Sequence, residues 1–257
     1  MSTDIRQDRP LLEADALTRR FGGLTAVKAV SIKLHIGELH AVIGTNGAGK
    51  STLINMLSGE IAASEGVLKL DGVDATEWTQ PRRARAGIGR SYQRTTIFAQ
   101  FTVLENCRLT AQATLQRPWR LWQSARDCAA SLTVAREVLD VAGLSAYAER
   151  PAGSMSHGQQ RQLEIAMCLA TRPRVLLLDE PLAGMGAEEA ERMLSLLERL
   201  KRDHAILLVE HDMDAVFRVA DKITVMVNGE VIASDIPDNI RSNPDVQTAY
   251  LGDAHAH

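Results

Sequence analysis

The stretch Gly44-Thr45-Asn46-Gly47-Ala48-Gly49-Lys50-Ser51-Thr52 decides how this chain is read. Gly44, Gly49, Lys50 and Ser51 have the spacing Gly-x-x-x-x-Gly-Lys-Ser/Thr of a phosphate-cradling loop. Glycines permit turns that a Cβ would block, and they let backbone N–H groups approach a phosphate closely. Lys50 offers a point charge to the outer phosphates. The Ser51 hydroxyl is a hard oxygen ligand suited to Mg2+. The flanks agree with this. Residues 39–43 read as a buried strand, Leu53, Ile54 and Leu57 have helical spacing, and Gly59 is a C-terminal stop. At average glycine usage the four fixed positions match by chance in roughly one chain of this length in a hundred. Nucleotide phosphate binding is therefore the expectation, while the loop alone leaves the class of nucleotide protein open.

Upstream, residues 11–17, 30–34 and 39–43 read as strands separated by Phe21-Gly22-Gly23 and Ile36-Gly37. Phe21 can stack on an adenine ring, since every base has a π-face, or pack on the sheet as a loop aromatic. Downstream, a short strand at 67–70 turns at Asp71-Gly72, and the run Pro81-Arg82-Arg83-Ala84-Arg85 reads as a solvated basic helix face. A further strand is expected to end at Gln93. From 95 to 154 apolar residues recur at helical spacings, broken at Pro118 and Gly143. That texture predicts a mostly helical subdomain inserted between sheet elements, with Trp119 and Trp122 anchoring a helix face.

Two further stretches carry chemistry. Ser156 and Gln159 stand as Ser-x-x-Gln, a capping box that opens a helix with Leu163, Ala166, Met167 and Ala170 on its apolar face. A helix start of this kind, with Gly158 beside the serine, is also an anion site. Residues 175–178 form a continuous apolar run, the mark of a central parallel strand, and it ends in Asp179-Glu180-Pro181. Ligands of open α/β sheets gather at such strand ends. An Asp there can hold Mg2+, and the neighbouring Glu can polarise an attacking water. Both can instead serve as an acidic pair capping a helix. A helix over 187–202, a buried strand at 205–209 closed by Glu210-His211-Asp212, a hairpin with an Asn228-Gly229 turn and a last helix over 237–250 complete the chain. His211 reads either as a phosphate contact or as a structural histidine.

Composition narrows the classes. The chain has 257 residues, 45% hydrophobic and 24% charged, which is ordinary for a globular protein. A net charge of −3 gives no bulk attraction to nucleic acid or anionic lipid. No apolar run reaches the roughly 20 residues of a membrane span, and the opening residues lack an apolar signal stretch. Cys107, Cys128 and Cys168 are scattered, which fits free buried thiols in a reducing compartment rather than a metal site.

Taken in order, these pieces resemble the nucleotide-binding subunit of an ABC transporter over residues 11–251. The order is a phosphate loop, a Gln after a strand, a helical insert, Ser-x-Gly-Gln-Gln, an apolar strand with Asp-Glu, then His. The resemblance implies an α/β fold: a P-loop, RecA-like core (11–94 and 155–251), an N-terminal antiparallel β subdomain, and an inserted helical subdomain (95–154), with 1–10 and 252–257 as flexible ends. It implies ATP and Mg2+ as cofactors. Phe21 would stack adenine, and Gly44 with Asn46, Gly47, Ala48, Gly49, Lys50, Ser51 and Thr52 would wrap the phosphates. Ser51, Gln93 and Asp179 would meet Mg2+. Glu180 would be the catalytic carboxylate, and His211 would touch the γ-phosphate. Ser156, Gly158 and Gln159 would serve the nucleotide of an opposing subunit, in a homodimer or a heterodimer with a paralogous ATPase subunit. Transmembrane permease subunits, and through them a substrate-binding protein, are the implied partners, with no nucleic acid. The implied place is peripheral, on the cytoplasmic face of the inner or plasma membrane. Phe21-Gly-Gly-Leu-Thr-Ala-Val, Ala183-Gly-Met, Glu210-His-Asp-Met and Asn243-Pro-Asp-Val are similar to the branched-chain amino acid importer branch, whose relatives include urea importers and a lipopolysaccharide exporter. Departures from the pattern are His157 for Gly, Met155 for Leu, and Gly186 where Asp is common. A nucleic-acid or ribosome ATPase of the same family, and a small-molecule phosphotransferase, are the rival classes.

Overall fold

The structure, a computed structural model, describes residues 9–92, 96–115 and 129–253. It begins with a hairpin, β1 (Leu12–Phe21) and β2 (Leu24–Leu34), turned at Gly22-Gly23. Both strands outrun the predicted 11–17 and 30–34. The register shifts between Ala14 and Leu17 and again near Arg19, with Ala16 and Ala29 at positive φ. A bulge resets the apolar alternation, so the period-two signal stops short of the strand itself.

The remaining elements follow in order. They are β3 (Leu39–Gly44), α1 (Lys50–Ser58), β4 (Glu65–Leu70), β5 (Val73–Asp74), α2 (Gln80–Arg85), β6 (Ile88–Arg90), α3 (Val103–Leu115), α4 (Ala129–Val141), α5 (His157–Leu169), β7 (Val175–Asp179), α6 (Ala187–Leu200), β8 (Ala205–Val209), α7 (Met213–Val219), β9 (Lys222–Val227), β10 (Glu230–Asp235), α8 (Pro237–Ser242) and α9 (Pro244–Asp253). β2, β1, β4 and β5 form an antiparallel sheet in that order. The larger sheet has the order β10-β9-β3-β8-β7-β6, parallel throughout except for the β9–β10 hairpin.

Alternation along the central strands divides the interior in two. Leu39, Ala41 and Ile43 of β3, Leu176 and Leu178 of β7, and Ile206 and Leu208 of β8 face a core shared with α3, α4, α5 and α6. Val42, Val175, Leu177, Ala205, Leu207 and Val209 face the opposite way, onto α1 and the antiparallel sheet. Continuous apolar runs are what a sheet covered on both faces demands. On α6, Met193, Leu194 and Leu197 are buried, with Ala190 partly buried against the same core. Cys107 and Cys168 are buried thiols, pushed up to about 12 by desolvation. Trp119, Trp122 and Cys128 lie outside the described residues.

Three sequence expectations are corrected. The basic run is not uniformly solvated. Arg83 is buried, and its guanidinium donates to the carbonyls of Met56 (2.5 Å) and Leu57 (3.0 Å) at the end of α1, and to those of Trp78 (3.0 Å) and Thr76 (2.8 Å). The last carbonyls of a helix lack intrahelical partners, and a cation satisfies both their bonding and the helix dipole. Only Arg82 and Arg85 remain on the exposed face, Arg82 lying over the Trp78 ring. Arg83→Met should cost about 3 kcal/mol by stranding these carbonyls. Urea unfolding would show it, and an unchanged midpoint would remove the capping role. The single last helix is in fact two, α8 and α9. Asn243, preceding Pro244, is extended (φ −74, ψ 121), as a residue before proline prefers. Its side-chain oxygen accepts from Asp245 N–H (2.9 Å) and so starts α9. The strand expected to reach Gln93 ends at Arg90, although Ser91 N–H still donates to the Leu177 carbonyl at 3.0 Å.

Candidate active site

β3, β8, β7 and β6 run parallel, so their C-terminal ends share one edge of the sheet. Val42 lies opposite Val209, Asp179 opposite Val209, and Arg90 opposite Leu177. The phosphate loop leaves β3 at this edge. Gly44 and Gly49 are conformationally obligatory. A Cβ on Gly44 (φ +153) would stand 2.1 Å from the Met226 carbonyl oxygen, and one on Gly49 (φ +94) 2.3 Å from that of Ala26. The loop is pinned from the β9–β10 turn, where Gly229 N–H donates to the Ala48 carbonyl at 3.1 Å. Asn46 and Gly47 are exposed at its rim, Ala48 is buried beneath it, and Ser51 and Thr52 occupy the first turn of α1. Gly49 caps α1 without any side-chain hydrogen bond, so the first amides of the helix stay available to an anion.

Lys50 is buried, and its ammonium donates to the carbonyls of Gly44 (2.7 Å) and Thr45 (3.0 Å). Burial holds its pKa below the ordinary lysine value, while Glu180 and Asp179 pull it back up. The loop therefore faces the acidic end of β7. Asp179 is buried, its carboxyl raised by desolvation and opposed chiefly by Arg90, whose Nη2 lies 3.9 Å from Oδ2. Asp179 Oδ1 is buried without a hydrogen-bond partner. Arg90 is itself fixed by donation to Ser58 Oγ (2.7 Å), Glu60 (2.6 Å) and the Asn55 side chain. Glu180 sits in the left-handed region at φ +49, with its N–H on the Val209 carbonyl at 2.9 Å. His211 projects from the end of β8 with an exposed ring.

An orphaned carboxylate oxygen near the Lys50 ammonium, and a serine hydroxyl in the first turn of α1, fit Mg2+, which is bound through few carboxylates together with phosphates and water. The described residues hold no cluster of three or more His, Cys, Asp or Glu side chains, so a cage made of protein ligands alone is absent among them. Gln93, the remaining expected ligand, lies outside the described residues. Phe21 is nearly half exposed at the end of β1, and the Arg19 guanidinium lies 4.6 Å from its ring centroid. It is not among the residues of the packed core.

Ser156 and Gly158 gather around a different residue. The capping box forms as the sequence predicts. Gln159 N–H donates to Ser156 Oγ (3.3 Å), and Ser156 N–H donates to Gln159 Oε1 (3.0 Å). The Gln159 side chain is thus turned onto the cap. Ser156 Oγ also donates to Glu189 Oε1 at 2.6 Å, and a Cβ on Gly158 would meet the Glu189 carboxylate. The Ser156 bond is the main reason the Glu189 carboxyl lies below its ordinary value, with the Gly186 and Gly158 amides contributing. Glu189 is the third residue of α6, whose cap, Gly186, has no side chain to offer. One carboxylate therefore satisfies the starts of two helices.

Sequence reading missed Glu189, Arg90, Glu210 and the buried pair Arg161–Glu164 (2.8 Å) on α5. Arg161 donates to the Tyr92 carbonyl at 2.7 Å, and Glu164 accepts from Thr96 N–H at 2.7 Å. For Arg90, Arg161 and Glu164 the available signal was charge on the apolar faces of β6 and α5. It points to burial but names no partner.

Comparison with known proteins gives a consistent result. A profile described as ABC transporter matches residues 27–183, and one described as branched-chain amino acid ATP-binding cassette transporter matches residues 230–256. The chain is 39% identical to the high-affinity branched-chain amino acid transport ATP-binding protein BraF of Pseudomonas aeruginosa, across 96% of this chain and 99% of the relative. It is 37% identical to LivG of Escherichia coli, across 96% and 99%. Among solved structures it is similar to the ADP conformation of MJ1267, an ATP-binding cassette of an ABC transporter, with TM-score 0.85 and 30% identity over 95% of this chain and 99% of that one.

Proposed function

The chain belongs to the ABC transporter ATP-binding family, and from that premise we propose that two copies, or one copy and a paralogue, close on two ATP molecules and drive permease subunits that import branched-chain or related amino acids. The chain is an ATP-hydrolysing transport subunit. No helix among the described residues is long and apolar enough to cross a membrane. In this reading passage of the substrate falls to separate membrane subunits, and this chain docks at their cytoplasmic face. The amino-acid assignment rests on BraF and LivG, whose names carry that substrate.

One observation carries the reading. The chain has two helix starts of different make, each suited to an anion: the loop with Lys50 opposite Asp179 and Glu180, and the capped start of α5 at Ser156 and Gly158. In the closed pair, Lys50 and the first amides of α1 hold the phosphates from one side. Ser156 Oγ and Gly158 N–H of the opposing copy hold the γ-phosphate from the other. Ser51, Gln93 and Asp179 would hold Mg2+, which when bound would supply positive charge against the phosphates. Glu180 orients the attacking water, His211 contacts the γ-phosphate, and Phe21 stacks the adenine. Rate enhancement comes from positioning and fixed charge rather than covalent chemistry.

Uptake of labelled leucine by cells lacking this chain tests the substrate. Undiminished leucine uptake together with lost urea uptake would move the assignment to an amide importer. Glu189 supplies a sharper test of the shared site. Its carboxylate uses the donors that the opposing phosphate needs. Glu189→Gln removes the charge and keeps an oxygen able to cap α6. In a Glu180→Gln background the ATP concentration giving half-maximal dimer should fall several-fold, as read by sedimentation. A midpoint that stays put or rises removes Glu189 from the competition.

A further inference from the structure

Among the buried ionisable groups, Glu210 has no task in the reaction as described. It follows β8, is fully buried, and its carboxyl is pushed up by that burial. A buried carboxylate is costly unless its oxygens are bonded. An apolar side chain would pack there more cheaply, so the destination of its bonds is informative.

Both oxygens accept backbone N–H groups from the catalytic edge. Oε1 accepts from Leu182 at 2.8 Å, and Oε2 accepts from His211 at 3.2 Å. Leu182 is two residues beyond Glu180, across Pro181. Glu180 occupies the left-handed region, a conformation that a non-glycine residue keeps only when its surroundings hold it there. One hold is its own N–H on the Val209 carbonyl at 2.9 Å. Another is Ala183 N–H on the Glu180 carbonyl at 3.2 Å, and the bond from Leu182 to Glu210 adds to these on the far side of the turn. The other Glu210 oxygen fixes the backbone that carries His211. Its own N–H faces the Val42 carbonyl at 3.4 Å, in the strand that feeds the phosphate loop.

We propose that Glu210 is a positioning residue, a single buried carboxylate that sets Glu180 and His211 in fixed relation to the phosphate loop. This rests on the reading of Glu180 as the residue that orients the attacking water. Glu210 acts through the two backbone segments it grips. A neutral amide of the same shape can accept from only one of the two N–H groups and turns its own NH2 toward the other. Glu210→Gln therefore loosens the relation and leaves the loop and Lys50 intact.

The test is steady-state turnover and ATP binding of Glu210→Gln, alone and combined with Glu180→Gln, in the full-length protein. Turnover should fall about ten- to hundred-fold, the loss expected when a reacting group shifts by roughly 1 Å. The ATP dissociation constant should stay within about two-fold, since a purely transition-state interaction is lost. The double variant should be no slower than Glu180→Gln alone, because a group acting through Glu180 has nothing left to position. Unchanged turnover, a loss of ATP affinity matching the loss of turnover, or multiplied losses in the double variant would each overturn the proposal. If Glu210→Gln fails to fold, Glu210→Asp serves with the same criteria, because it keeps the charge but is too short to reach both amides. A Glu180→Gln protein with full turnover would instead overturn the role of Glu180, and the proposal with it.

Discussion

Glu180→Gln should retain ATP, lose turnover by about 10²–10⁴-fold, and accumulate as an ATP-bound dimer. The substitution is nearly isosteric and leaves the backbone constraints in place. The N–H of residue 180 still bonds to Val209, and Leu182 is still held by Glu210. Only the capacity to draw a proton from water is lost. The left-handed conformation at φ +49 costs about 1–3 kcal/mol at a non-glycine residue. A position chosen for stability would not carry that strain. It is what aiming a side chain off the end of β7 requires. Binding should survive because the loop, Lys50 and the start of α1 are untouched. Single-turnover hydrolysis and sedimentation with ATP would check both halves. Full turnover would remove Glu180 from the chemistry, and a protein that stays monomeric with ATP would remove the shared site.

Gly49→Ala should abolish nucleotide binding and destabilise the fold by about 2–6 kcal/mol, combining left-handed backbone strain with a steric clash of similar size. The new Cβ would stand 2.3 Å from the Ala26 carbonyl oxygen and 3.2 Å from Val27 Cγ2. Ala26 belongs to β2, so the clash is with sheet backbone that cannot move aside without disturbing the hairpin. Relief would come by shifting the loop. That would displace Lys50 from the carbonyls of Gly44 and Thr45 and misalign the first amides of α1. Gly47→Ala is the natural control. Gly47 also has positive φ, but its Cβ would meet nothing within 4 Å, so only the backbone strain remains. Urea unfolding and fluorescent-ATP binding would separate the two variants. Equal effects from both would show that strain alone governs the loop.

Much of the site was legible before any coordinate. The fixed spacing of Gly44, Gly49, Lys50 and Ser51, the apolar run ending at Asp179 and Glu180, and the Ser156–Gln159 box are local patterns. Their physics acts over a few residues of chain, so the order of letters carries them. The Asn228-Gly229 hairpin turn was legible for the same reason, with φ of +48 and +84 where that pair tolerates it. Strand extents in β1 and β2 were not, because bulges break the alternation that announces a strand.

By itself the sequence determined the phosphate-loop spacing, the apolar run into Asp179-Glu180 and the Ser156–Gln159 box, and that the central strands are covered on both faces. Local propensity, backbone sterics and hydrophobic period are short-range quantities. Tertiary structure alone decided the partners of charge. Arg83 went to the end of α1, Arg90 to Asp179, Glu189 to Ser156, and Glu210 to the backbone of Leu182 and His211. Apart from Glu210 with its neighbour His211, each of these contacts joins residues distant in the chain and brought together by the packing of strands and helices. A charge in a sequence shows that a partner is needed, but only the folded arrangement, where water is excluded and an unpaired charge is costly, determines which one it finds.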